Sequence, residues 1–156
     1  VGGQSAGKRG RGAANKSQVA FAISRKGKAG ISGAYGRVIK NAGSKSLRPF
    51  VESHVSLQAT VRTDQWRGYT TLKDSYNLEQ VPSQKGRNFL TFHRFVLGFK
   101  SWLRGIHHYV RDLAAYVEEY TYRFNRHWMQ AEVFDELLIS AVQHPPAPYA
   151  KIAMGS

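Results

Sequence analysis

Three side chains in this sequence have the types and the spacing to act on a phosphodiester. Asp64 follows a β-branched run, ATVRT at residues 59–63, and opens the string Asp64, Gln65, Trp66, Arg67, Gly68, Tyr69. A carboxylate at the C-terminal tip of a buried strand can hold a divalent cation, and Trp66 with Arg67 can pack beside a phosphate backbone. The residue types fit a plainer role equally well, with Asp64 capping the next turn and Trp66 in the core. His93 and Lys100 lie in TFHRFVLGFKSWLRG, residues 91–105. On a helix their separation is two turns with about 20° of angular drift, so they share one face about 10 Å apart. An imidazole that binds a metal or water, followed two turns later by an ammonium, suits a DNA backbone running along the helix. Spacing alone still favours a half-buried histidine and a solvated lysine.

Other clusters carry less. Adjacent His107 and His108 diverge on a helix and make a poor metal pair. Arg123, Asn125 and Arg126 fall at a helix end, where basic residues suit the dipole and DNA contact equally. The acids Glu118 and Glu119, and Glu132, Asp135 and Glu136, read as solvated helix faces. No nucleotide-binding glycine loop, dinucleotide fingerprint or GxSxG elbow is present.

The elements that must position these groups change character along the chain. Residues 1–15 are rich in Gly, Ala and bases with no apolar period, which predicts a flexible arm. Residues 18–24 and 31–40 are short apolar strands around a turn-like RKGKAG, a hairpin or meander. Residues 44–55 place Leu47, Phe50, Val51 and Val55 at helical spacing behind a serine cap. Pro49 suits only a first turn, so the helix proper is expected to start near it. Residues 59–63 read as a buried strand with Asp64 at its tip, where sites form in α/β sheets. Residues 77–81 form a last short strand stopped by Pro82, and PSQKGRN is a polar loop. Residues 91–104 and 110–143 then carry helical apolar spacing, including Leu113, Tyr116, Val117, Tyr120 and Phe124, then Val133, Leu137, Leu138 and Val142, and HPPAP ends the last helix.

Charge sets the partner class. The chain has 156 residues with 23 Lys and Arg against 10 Asp and Glu, a formal net charge of +13. The first acid is Glu52, so Lys8, Arg9, Arg11, Lys16, Arg25, Lys26, Lys28, Arg37, Lys40, Lys45 and Arg48 precede any carboxylate. A polyanion is the expected partner. The apolar fraction of 42% builds one ordinary core. No apolar run is long enough to cross a bilayer, and no signal layout opens the chain. The absence of cysteine removes disulfides and thiolate metal sites and fits a reducing cytoplasm.

The ordered motifs carry a resemblance. VGG followed by GKRGRGAANK, then SLRPFV, TDQWRGY, the string from His93 through Lys100 to His107 and His108, and Y-x-x-E-Y-x-Y-R-F-N-R resemble the catalytic region of bacterial insertion-sequence transposases of the ISXO-like DDE type, over about residues 1–143. The resemblance implies an RNase H-like fold, a mixed sheet flanked by helices, in which two aspartates and a third residue hold two Mg²⁺ (or Mn²⁺) ions. It implies that Asp64 is the second aspartate, His93 the third metal-site residue and Lys100 a grip on DNA, which reverses the reading from spacing. Lys8, Arg9, Arg11, Lys16, Trp66, Arg67 and Arg104 would contact DNA.

Two departures qualify the expectation. Relatives often have an asparagine two positions before the lysine, and Gly98 stands there. The family's first aspartate lies in an Asp-Glu-Thr-Tyr string immediately before Val-Gly-Gly, and this sequence begins at Val1. The expectation is therefore an α/β RNase H-like domain over residues 16–143 lacking its first strand, between a basic arm (1–15) and a Pro-rich tail (144–156). It derives from a transposase that cuts and joins insertion-sequence ends, as a truncated or inactive copy. The alternative is a non-catalytic basic nucleic-acid-binding protein. The expected partner is double-stranded DNA, element ends and target, with a homodimer on DNA admitted, no membrane, and a cytoplasmic, nucleoid-associated place of action.

Overall fold

The computed structural model describes residues 17–25, 27, 30–107, 110, 112–129, 132–146 and 148. The basic arm, with Lys8, Arg9, Arg11 and Lys16, lies outside the described residues, as do His108 and most of the Pro-rich tail.

An antiparallel hairpin of β1 (Gln18–Arg25) and β2 (Ile31–Ile39) lies between two helical layers. Side chains on a strand alternate between faces, and here each face has its own core. Ala20, Ala22 and Ile39 pack toward helix α1 (Ser44–His54), whose Leu47, Phe50 and Val51 are buried. Val19, Phe21 and Val38 pack toward α2 (Leu90–Ile106) and α3 (Leu113–Arg126), around Phe99, Leu103 and Val117. The Phe21 ring meets Phe95 and Phe99 edge-on at 5.3 and 5.1 Å. Gly36, opposite Phe21 in the hairpin, lets α3 approach this closely, since a methyl there would stand 2.5 Å from Val117 Cγ1.

Helix α1 corrects the sequence reading twice. It begins at Ser44, so Pro49 lies inside it. Proline inside a helix forfeits its bond to the carbonyl four residues back, and that carbonyl belongs to Lys45 in the opening turn. Burial of Leu47 just before the proline holds the first turn in place. The expected serine cap is also absent. The cap position is Gly43 without a side-chain bond, and Asn41 Oδ1 instead accepts from the Gly43 N–H at 3.0 Å and the Ser46 hydroxyl at 3.3 Å.

The second sheet pairs β3 (Thr60–Thr63) in parallel with β4 (Asn77–Gln80). Their connection is the 3₁₀ segment Arg67–Asp74, which buries Leu72 completely. Val61 and Leu78 rest on the α1 core, so α1 backs both sheets. The strands alternate exposed and half-buried positions. The run at residues 59–63 read as a buried strand is thus covered on one face only, because Arg62, like Glu79 beside it, points to solvent where a central parallel strand would carry apolar groups. Antiparallel and parallel pairing are both present, as expected of a mixed α/β fold, but divided between two sheets that share no ladder among the described residues.

Residues 84–89, read as part of a polar loop, form 3₁₀ turns broken at Lys85 and Gly86, both at positive φ. Helix α4 (Glu132–Gln143) ends the described fold and buries none of its residues.

Candidate functional site

In a parallel pair both strands end at the same edge, so Asp64 after β3 and the 81–83 segment after β4 share one end of the sheet. From that end the chain passes through Gln84–Phe89 into α2, whose first turns carry His93. The proximity is visible in contacts: the Arg62 guanidinium of β3 lies 5.8 Å from the centre of the Phe89 ring, at the start of α2.

Asp64 is half-buried and caps the turn that follows it, its Oδ1 accepting the Trp66 N–H at 3.2 Å. The Gln80 side-chain amide reaches across from β4 to the carbonyls of Asp64 (3.4 Å) and Trp66 (3.3 Å). These bonds fix the tip of β3 to the tip of β4. Trp66 donates its indole N–H to the Ala42 carbonyl at 2.7 Å and packs against the α1 core. Its placement is that of a packing residue, whereas neighbouring Arg67 is exposed.

His93, Lys100 and Arg104 form one exposed stripe along α2. Separations of seven and eleven residues bring Lys100 and Arg104 each back to within about 20° of His93, one on either side, away from the buried line of Phe95, Phe99 and Leu103. Position 98 falls about 140° away from His93 on the same wheel. Gly98 accordingly lies off the stripe, toward α3, where an added methyl would stand 2.8 Å from Tyr120 Oη. Burial raises the pKa of that tyrosine above the ordinary phenol value.

Sequence reasoning missed what stands behind His93. Gly86, at φ +92°, runs under the imidazole so closely that a methyl there would sit 2.9 Å from Nε2. Ser83 fixes this turn, its hydroxyl and carbonyl both accepting the Gly86 N–H, at 3.2 and 2.8 Å. The only sequence signal was the glycine itself, within a stretch polar enough to pass for plain loop.

The residues at the end of α3 make contacts within the fold. Asn125 bonds the backbone of Ala34 in β2, Arg126 pairs with Glu136 and stacks 3.8 Å over the Tyr122 ring, and Arg123 pairs with Glu119 at 2.9 Å.

For a two-ion metal centre the test is the donor set. Asp64 and His93 come from the same end of the β3–β4 sheet, yet no group of three or more His, Asp or Glu side chains converges among the described residues. Two donors do not make a complete set for a pair of six-coordinate Mg²⁺ ions, which need several carboxylates between them. The described residues therefore do not fit a two-ion centre by themselves. Among them, no helix is long and apolar enough to cross a membrane.

The family model described as the ISXO2-like transposase domain matches residues 1–125, which hold every element from β1 to α2 and nearly all of α3. No curated protein and no solved structure matches the chain.

Proposed function

The chain belongs to the ISXO2-like transposase domain family, and from that premise we propose that it binds duplex DNA at insertion-sequence ends through the exposed face of α2 and the adjoining tip of β3. The observation that carries this is the stripe of His93, Lys100 and Arg104, with exposed Arg67 at the neighbouring sheet edge. Lys100 and Arg104 are one turn apart, a spacing that lets two cations meet successive phosphates. His93, held against Gly86, and Asp64, held by Trp66 and Gln80, contribute to the metal-binding edge that an RNase H-like reading assigns to this family. That reading draws on the hairpin and the parallel pair resting on one helix.

Divalent-metal chemistry is general to DDE transposases. Asp64 and His93 alone are an incomplete donor set, so in our reading residues 1–156 by themselves bind DNA without cutting it. The protein works at the nucleoid, where its basic residues meet their polyanion.

The test is a titration of labelled duplex DNA at several salt concentrations. The expected result is a steep fall of affinity with salt, and a shallower slope for Lys100→Ala/Arg104→Ala. An unchanged slope in that double variant would place the DNA elsewhere.

A further inference from the structure

The exposed side of α2 is not uniformly basic. Leu90 and Leu97 stand in it, 58% and 62% exposed, and seven residues apart they fall on one line of the helix with about 20° of drift. A lone exposed leucine means little. The surroundings of Leu97 set it apart, because its four neighbours on the helix surface, three and four residues away in each direction, are His93, Arg94, Lys100 and Ser101. All four are exposed. Around the helix axis Lys100, His93 and Arg104 bound one side of the exposed sector, Arg94 bounds the other about 100° from His93, and both leucines lie between.

Charge identifies what meets this sector. No Asp or Glu occurs between Glu79 and Asp112, and among the described residues Arg94, Lys100 and Arg104 form no ion pair. All ten acids of the chain belong to the described residues, so the segments outside them, including residues 1–16 and 149–156, bring no acidic side chain to these cations. A cover from those segments would satisfy the leucines and leave the cations without partners. Duplex DNA satisfies both. It offers phosphates along each side of a groove and, on the groove floor, an apolar group, the thymine C5 methyl.

We propose that α2 enters the major groove and that Leu97 reads thymine C5 methyl groups there, with Lys100 and Arg104 on the phosphates of one strand and Arg94 on those of the other. The inference rests on the DNA-binding reading above and adds a source of sequence preference, which phosphate contacts do not supply. Dimensions select the groove: a helix with its side chains is about 10–12 Å across, which the major groove, about 12 Å wide, admits and the minor groove, about 6 Å wide, does not. The C5 methyl is also presented only in the major groove. Leucine carries no hydrogen-bonding group, so it tells one pyrimidine from another by that methyl alone. Leu90 extends the apolar line about 10 Å along the helix.

The experiment measures binding of the full chain to short synthetic duplexes of alternating dA and dT, with thymine or with uracil throughout, at several salt concentrations. Uracil lacks the methyl and leaves the phosphates in place. The expected result is a loss of affinity of about fourfold for each methyl buried, with the same salt slope. Leu97→Ala should bind both duplexes alike at that slope. Leu97 is exposed in mid-helix and alanine favours helix, so the variant should keep the wild-type circular dichroism. An alternating dG and dC duplex should gain by the same factor when its cytosines carry a C5 methyl, and Leu97→Ala should abolish that gain. Equal wild-type affinity for the thymine and uracil duplexes would overturn the proposal, while a salt slope that still falls in Lys100→Ala/Arg104→Ala would leave the DNA-binding reading standing. A methyl preference that survives Leu97→Ala would overturn it as well. So would altered sedimentation of the DNA-free chain in Leu97→Ala, which would assign the leucine to a protein partner.

Discussion

Asn125 holds both backbone groups of Ala34: its amide donates to the Ala34 carbonyl at 2.8 Å and its Oδ1 accepts the Ala34 N–H at 2.7 Å. A side chain on α3 thus does what a neighbouring strand would do for the outer edge of β2. An open edge invites pairing with another chain, and here it is closed at mid-strand by a residue 91 positions away. Asn125→Ala should cost about 2 kcal/mol in urea unfolding, two partly buried bonds at about 1 kcal/mol each. Asn125→Asp keeps the acceptor but loses the donor, and should retain roughly half of that stability.

Gly36 is the second fixed point between β2 and α3. A methyl there meets Val117 Cγ1 at 2.5 Å and the Phe21 ring at 2.6 Å, both within the packed core. Gly36→Ala should destabilise by about 1–3 kcal/mol, the usual range for an overpacked site. Adding Val117→Ala should restore part of the loss, and a double-mutant cycle by chemical denaturation reads that coupling. Strict additivity would show that the two residues do not press on one another.

How much of this was legible in the sequence depends on the range of the interaction concerned. β1, β2 and the apolar lines of α2 and α3 follow from local periodicity, and they lie where it puts them. Asp64 at a strand tip and His93 with Lys100 on one helix face were legible for the same reason. What was not legible needed partners distant in sequence. Asn125 could not be told from a DNA-contacting residue until Ala34 lay beside it. The outward face of α4 has the period of a core helix, and only its pairing through Glu136 reveals which half is turned in. Pro49 misplaced the start of α1 because a local preference was outweighed by burial of Leu47.

Tyr120 adds an alkaline-sensitive component to the stability of the fold. Burial raises its pKa, so above pH 10 the unfolded chain releases a proton that the folded chain retains. By linkage this component of stability is complete below the unfolded-state pKa and is lost as pH rises through the folded one. Unfolding free energy should therefore decline from about pH 10 upward, and Tyr120→Phe should remove part of that decline. Identical pH profiles for the two proteins would show that the phenol does not titrate differently on folding.

Lys100 and Arg104 should act on DNA affinity through phosphate contacts. Each contact removed should lower the slope of log affinity against log salt by about 0.9. Lys100→Ala/Arg104→Ala should thus lose close to two units of slope, with roughly equal weakening on all duplex sequences. Trp66→Ala should behave differently, because Trp66 is tied to Ala42 and the α1 core. It should lower stability by about 3 kcal/mol or more, and a lower affinity should track the loss of folded protein rather than the salt slope.

Asp64 separates binding from chemistry. Its carboxylate already serves the fold by accepting the Trp66 N–H, so Asp64→Ala mixes a lost turn cap, about 1 kcal/mol, with a lost metal donor. Asp64→Asn keeps an oxygen for the Trp66 N–H and removes the charge. In metal-free buffer it should leave DNA affinity unchanged or slightly raised, because a carboxylate beside phosphate is repulsive. With Asp64 and His93 as an incomplete set among the described residues, residues 1–156 should cleave neither element-end nor unrelated duplex DNA in Mg²⁺ or Mn²⁺, as read on denaturing gels. Metal-dependent nicking that disappears in Asp64→Asn would show that the donor set is completed outside the described residues. Nicking that survives both Asp64→Asn and His93→Ala would move the active site away from this edge of the sheet.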